Sequence, residues 1–250
     1  MGSKRDVLFN SADSGKSSFR FNAAVASVFD NMINRSVPLY ETVQTISSRL
    51  ACQYYMEGTS LFDIGCSTGL SLKYLNRELK QRKMSRMIHY IGLDKSSDMC
   101  KRAKKRSGKF RDSFHVEIQK HDILEGLITG ASVVLCHYTI QFLKPEEKRK
   151  ALVKIYDGLL PGGLLILSDK IEPDECVNEP LFLDAYDRFK LGNGYSELEI
   201  TEKRKALNGV LIPIKAENEC EIMRSAGFER VETIIKWFQF ATFIAFKPGL

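Results

Sequence analysis

The stretch LFDIGCSTGLSL, residues 61–72, constrains the fold of this chain more than any other. Leu61–Ile64 read as a short buried strand, and Gly65 and Gly69 supply a turn. Leu72, Leu75 and Leu79 then recur at i, i+3 and i+7, the spacing of an amphipathic helix. A strand that passes through a glycine turn into a helix leaves the helix's first N–H groups free. They point over the turn, where the backbone can approach a ligand closely.

The spacing D-x-G-x-S-x-G follows the glycine fingerprint of nucleotide folds, with Ser67 in the place of the middle glycine. An acid beside a glycine turn also caps strands that bind nothing, so the rest of the chain has to decide. MIHYIGLD, residues 87–94, is a second apolar strand ending in Asp94, 29 positions after Gly65. FHVEIQKH is a third, followed by Asp122, and SVVLCHYTIQFL, residues 132–143, a fourth. PEEKRKALVKIYDGLLPGG predicts a helix with Pro145 in its first turn and Leu152, Ile155, Tyr156 and Leu159 on one face. LLILSD is the fifth strand. Strands alternating with helices predict a parallel sheet with right-handed crossovers and a ligand at the strands' carboxyl ends, where Gly65, Asp94, Asp122 and His137 all fall. Residues 226–247 have strand composition throughout and read as an antiparallel pair on the sheet edge.

Composition sets the class. With 44% hydrophobic and 27% charged residues and no repeat or low-complexity tract, residues 1–250 are expected to form one α/β domain, with a flexible segment over 1–20. The six cysteines are scattered, without a C-x-x-C pair or a histidine spaced to complete a zinc site, so no metal is expected and the thiols read as reduced in a cytoplasmic protein. No apolar run reaches the length of a membrane span, and no membrane partner is expected. The net charge of +6 is concentrated in KRAKKRSGKFR, residues 101–111. That stretch suits an RNA phosphate face, but only Phe110 interleaves the charges, which favours a solvated helix surface and no strong nucleic-acid binding.

Five parallel strands closed by a C-terminal antiparallel pair, with helices on both faces, resemble the class I methyltransferase (Rossmann-like) fold that uses S-adenosyl-L-methionine. The resemblance implies that the glycine turn holds the methionine part, Asp94 the ribose hydroxyls and Asp122 the adenine amino group. VFDNMINRSVPLY (28–40), the segment 138–170 and FKLGNGYSELEITEKR (189–204) are similar more narrowly to the carboxy-S-adenosyl-L-methionine synthase family. Members of that family are homodimers that convert S-adenosyl-L-methionine and prephenate to carboxy-S-adenosyl-L-methionine and phenylpyruvate. The product serves modification of the transfer RNA wobble uridine by a separate enzyme.

Carried over residue by residue, the resemblance places Tyr40, Gly65, Cys66, Ser67, Asp94, Lys95, Asp122, Ile123, His137 and Arg204 around the cofactor or bound product. It gives Arg204 the leading part, because a planar guanidinium pairs two-pronged with the carboxylate that marks the product. Lys95 and His137 stand where the family usually has asparagine; the larger, titratable imidazole puts the fine selectivity of the pocket in question. In the reaction that the resemblance implies, prephenate supplies carbon dioxide and takes up the methyl proton as its ring aromatises, so the protein would need no nucleophile and would need to exclude water. Residues 171–215 are the expected helical lid and dimer insertion. The competing readings are an ordinary methyltransferase acting on transfer RNA or a small molecule, and a binding protein that has lost catalysis.

Overall fold

The computed structural model describes residues 5–11, 18–174 and 179–249. The elements in chain order are α1 (Ala23–Ser36), α2 (Tyr40–Tyr54), β1 (Ser60–Ile64), α3 (Leu70–Gln81), β2 (Ile88–Asp94), α4 (Ser97–Ser107), β3 (Phe114–Lys120) and β4 (Ala131–His137). There follow α5 (Pro145–Gly158), β5 (Leu159–Lys170), α6 (Glu179–Gly192), α7 (Glu197–Leu207), α8 (Ala216–Ser225), β6 (Glu229–Trp237) and β7 (Phe240–Phe246). The sheet has the order β3-β2-β1-β4-β5-β7-β6, with β1 to β5 parallel and β6 and β7 antiparallel. This is the expected fold class. The reversal of strand order between β1 and β4 opens the crevice in which α/β sheets hold ligands.

Strand alternation sorts the core into two layers. Leu61, Val133, Leu135, Leu164 and Ile166 face α2, α3 and α4, while Phe62, Val134, Cys136, Leu165 and Leu167 face α5 and α8. Leu72, Leu75 and Leu79 are buried as their spacing requires. Each contributes roughly 1.5–3 kcal/mol of apolar burial. A third cluster sits over the carboxyl ends of the strands, where Phe29, Met32 and Ile33 of α1 pack with Tyr40, Tyr138 and Phe240.

Three local expectations change. The fourth strand stops at His137, because Tyr138 takes a left-handed backbone (φ 54°) and Ile140–Phe142 coil into a 3-10 turn. Helix α5 ends at Gly158, and Leu159 is a strand residue opposite Ala131, so β5 begins five residues earlier than its apolar run suggests. The strand-like VLIPIK forms no ladder beyond a single bridge from Lys215 to Glu172. Of the N-terminal segment, residues 1–4 and 12–17 lie outside the described residues; Asp6 and Phe9 are buried, and the Tyr195 hydroxyl donates to Asp6.

Candidate functional site

A cavity of about 420 Å³ opens at the carboxyl ends of β1, β2 and β4 and the loop after β3. Gly65, Ser67, Asp94, Lys95, Asp122, Ile123 and His137 line it, and Phe21 just before α1, Phe29 and Ile33 of α1 and Phe142 of the 3-10 turn cover it. Its size suits a small-molecule site. Gly65 has φ +70°, and a Cβ there would lie 2.0 Å from Thr139 Oγ1, so only glycine fits. Ser67 adopts φ 53°, the left-handed conformation that the fingerprint usually gives to glycine. The turn is locked to β2: the Ser67 N–H donates to Asp94 Oδ2 and the Ser96 N–H to Oδ1, both at 2.8 Å. Burial raises the Asp94 carboxyl above its usual range, and those two N–H donors oppose the shift.

Asp122 follows β3 in a tight turn, its Oδ1 accepting from the Leu124 N–H at 3.0 Å. The Lys95 ammonium donates to Oδ2 at 2.8 Å. Burial pushes the Asp122 carboxyl up, but Lys95 and the Leu124 N–H together outweigh it and hold the group below the usual carboxylate range. His137 ends β4, with Nδ1 2.9 Å from Ser168 Oγ, which in turn meets Thr242 Oγ1 at 2.9 Å. Its Nε2 is buried without a hydrogen-bond partner among the described residues. Burial depresses the imidazole to about 4, so the ring is neutral near pH 7 and offers the cavity wall one unsatisfied nitrogen.

A smaller recess of about 30 Å³ adjoins the glycine turn, lined by Tyr40, Gln44, Asp63, Gly65, Cys66, Ser67 and His137. Asp63 is buried and accepts from the hydroxyls of Ser71 and Tyr90; burial raises its carboxyl to about 6. The fingerprint's acid therefore fastens β1 to α3 and β2, while reaching the recess wall.

Nine of the ten expected residues thus share these two adjoining spaces, and Arg204 does not. Its guanidinium is half-exposed, bonded to Asp187, and lines a separate cavity of about 490 Å³ beneath α6 and α7 together with Lys170, Tyr186, Lys190 and Lys203. Between the two lies a recess of about 100 Å³ that shares Phe21, Phe29, Tyr138 and Phe142 with the first cavity and Lys170, Tyr186 and Lys203 with the second. The covering residues Phe21, Phe29, Ile33, Tyr138, Thr139 and Phe142 are not among the ten expected site residues, although all but Phe21 lie in the stretches 28–40 and 138–170 that carry the resemblance. The apolar period of Phe29, Met32 and Ile33 was the available signal.

Residues 101–107 of the basic stretch lie on α4 and 108–111 in the turn after it; Arg106 is committed to Asp30 of α1 and to Thr68 Oγ1 at 2.9 Å. Cys52, Cys66, Cys100, Cys136 and Cys220 are free thiols; Cys176 lies outside the described residues. His89 and His115 face each other across β2 and β3 with Glu117 beside them, their ligating atoms within 4.8 Å. This grouping, not foreseen in the sequence, is far along the strands from the cavity, and His89 Nε2 already meets Glu117 at 3.0 Å. No described helix is long and apolar enough to cross a membrane.

Residues 62–165 match the family model of a methyltransferase domain. An O-methyltransferase family protein from Burkholderia thailandensis superposes with a TM-score of 0.63 at 15% identity, over 92% of this chain and 61% of that one, a likeness of fold alone. The carboxy-S-adenosyl-L-methionine synthase of Desulfotalea psychrophila is 36% identical over 99% of both chains. That of Trichodesmium erythraeum is 38% identical over 99% of this chain and 95% of its own. The chain belongs to the carboxy-S-adenosyl-L-methionine synthase family.

Proposed function

We propose that this protein is a transferase that binds S-adenosyl-L-methionine in the cavity at the strand ends and converts it, with prephenate, to carboxy-S-adenosyl-L-methionine and phenylpyruvate. The observation that carries the reading is the near full-length likeness to synthases of that name. The cavity supports it. In this reading Asp94 accepts from the ribose hydroxyls, since its two N–H donors leave lone pairs on both oxygens. Asp122 shares its carboxylate between Lys95 and the adenine amino group. Tyr40, Cys66 and Ser67 surround the methionine part in the adjoining recess.

In the reaction a hydrogen of the sulfonium methyl is replaced by a carboxyl from prephenate; the hydroxide that prephenate loses takes the proton, and water leaves. The residues present an apolar cover in Phe21, Phe29, Ile33 and Phe142 on one side of the cavity, which serves water exclusion. Neutral His137 adds an uncharged nitrogen to the wall and no competing base of ordinary strength. Arg204 takes the carboxylate chemistry that ordinary methyltransferases lack. Exchange of Asp187 for a ligand carboxylate keeps its charge paired.

Residues 171–215 act in this reading as the cover over the second substrate, and the product goes to modification of the transfer RNA wobble uridine without tight RNA binding by α4. The protein works as a cytoplasmic homodimer. Sedimentation showing only a 28.4 kDa species at micromolar concentration would count against the dimer. The deciding experiment incubates the protein with S-adenosyl-L-methionine and prephenate and weighs the products. A sulfonium heavier by one carbon dioxide, with equal phenylpyruvate, is expected; methyl transfer to transfer RNA with no such product would overturn the reading.

A further inference from the structure

Asp169 and Lys170 are neighbours at the carboxyl end of β5 and point to opposite faces of the sheet. On one face a charge is fully matched: Lys148 of α5 is completely buried between Asp169, at 3.3 Å, and Glu219 of α8. On the other face Lys170 has no such match. Among the described residues its ammonium makes no hydrogen bond or ion pair and only rests 5.3 Å from the centre of the Tyr186 ring. Lys190 is 4.1 Å from the same ring and pairs with Asp187, which also holds Arg204. Lys203 meets the Tyr195 hydroxyl and Ser36 Oγ at 3.3 Å and lies 3.8 Å from Asp6.

Among the described residues Lys170, Lys190, Lys203 and Arg204 therefore share two carboxylates, Asp187 and Asp6, and the cation left over is Lys170. Burial, with repulsion from Lys190 and Arg204, lowers its ammonium to about 8. A lone, partly desolvated cation beside like charges is costly unless an anion arrives to neutralise it. Lys170 also stands where two spaces meet. It lines both the basic cavity and the recess, whose walls include the rings of Phe21, Phe29, Tyr138, Phe142, Tyr186 and Phe240 beside aliphatic residues and Ser36 and Gln141. Several of those aromatic rings also wall the strand-end cavity.

We infer that Lys170, seconded by Lys203, is the carboxylate anchor of a second-substrate subsite whose aromatic walls take a ring-bearing organic acid. The ring lies against the cover of the strand-end cavity and the acid group points at β5. This assignment rests on the proposed reading of an anionic carboxyl donor, and it adds a residue outside the ten that the family resemblance places around the cofactor.

The test uses the full chain, with prephenate as the probe. The single tryptophan, Trp237, packs against Phe189 of α6 and Phe238, so its emission reports ligand entry under α6 without turnover. Lys170→Met is expected to weaken prephenate binding by about tenfold or more, as loss of a charge-assisted contact does. Its affinity for S-adenosyl-L-methionine should stay within about twofold, because Lys170 does not line the strand-end cavity. Lys170→Arg should restore most of the loss, which a purely space-filling role would not produce, and it serves as the check where the methionine variant folds poorly. Prephenate binding equal to wild type in Lys170→Met, or no better in Lys170→Arg than in Lys170→Met, would overturn the subsite. Wild-type binding that depends on Lys170 without any carboxylated product would keep the subsite and discard the proposed reaction. Turnover with an unchanged KM for prephenate in both variants would do the reverse.

Discussion

The cavity at the strand ends and the cavity beneath α6 and α7 carry opposite charge and are built by different means. The first presents Asp94 and Asp122, with Asp63 behind the adjoining recess, and its Asp94 and Asp122 carboxylates are each fixed by backbone N–H groups of a nearby turn. The second presents Lys170, Lys190, Lys203 and Arg204, and its charges are arranged by side chains from β5, α6, α7 and the N-terminal segment. A backbone-built site depends on chain shape, so it tolerates little change at its turns. A site built from long side chains is set by charge balance, so it yields more to substitution and to pH.

The largest effect is therefore expected from the backbone of the acidic side. Gly65→Ala places a methyl 2.0 Å from Thr139 Oγ1 at a left-handed φ. It should cost about 3 kcal/mol or more of stability and abolish cofactor binding. A loss under about 1 kcal/mol in urea unfolding would show that the turn re-forms and would break the contrast.

Titration of the acidic side gives the next test, because two buried groups there work in opposite directions. Asp63, raised to about 6 by burial, favours the folded state in acid, and that contribution is lost as pH rises from the unfolded value of 3.8 through 6. His137, depressed to about 4 by burial, favours the folded state above its unfolded value of 6.5, and that contribution is lost as pH falls towards 4. Each is worth on the order of 3 kcal/mol at most, and they oppose each other between pH 4 and pH 6. Asp63→Asn, which keeps acceptors for Ser71 and Tyr90, should gain stability relative to wild type at pH 7 and fall more steeply in acid. His137→Asn should show the reverse slope. Parallel pH profiles for both variants, by urea unfolding, would remove the opposition.

Asp94→Ala is expected to weaken S-adenosyl-L-methionine binding by about 1.5–3 kcal/mol in calorimetry, through loss of charge-assisted hydrogen bonds. Prephenate binding should be left nearly unchanged, since the Asp94 carboxylate belongs to the other space. The smallest effect belongs to the basic side: Arg204→Ala removes a half-exposed pair with Asp187 and should change stability by less than about 1 kcal/mol. A loss above about 2 kcal/mol would make Arg204 a structural residue and leave the basic cavity without its two-pronged donor.

How much of this was legible follows from the range of the interactions. Gly65, Ser67, Asp94 and Asp122 lie within a few residues of strand ends, and strand ends are visible as apolar runs that stop at an acid or a glycine. The sites where the reading slipped are those where a distant contact overrode local pattern. SVVLCHYTIQFL has strand composition throughout, yet Tyr138 takes a left-handed backbone and the Thr139 hydroxyl donates to Ile64 O of β1, so the chain turns there. Leu159 continues a helical face in sequence, yet it pairs with Ala131. Lys203, to which no motif points, is buried beside Asp6, almost two hundred positions away.

The sequence by itself determined the alternation of strands and helices, the parallel sheet with its antiparallel edge, the end of the sheet where the cavity opens and the acids that line it. Each of these follows from side-chain periodicity and the conformational freedom of glycine, which are local. Only the tertiary structure decided that Arg204 stands apart from the other nine residues, that Asp63 is consumed by Ser71 and Tyr90, and that, among the described residues, Lys148 is matched while Lys170 is not. The charge on a lysine is the same in every sequence; whether it is spent depends on which carboxylates folding brings within reach, and that is a sum over the whole chain.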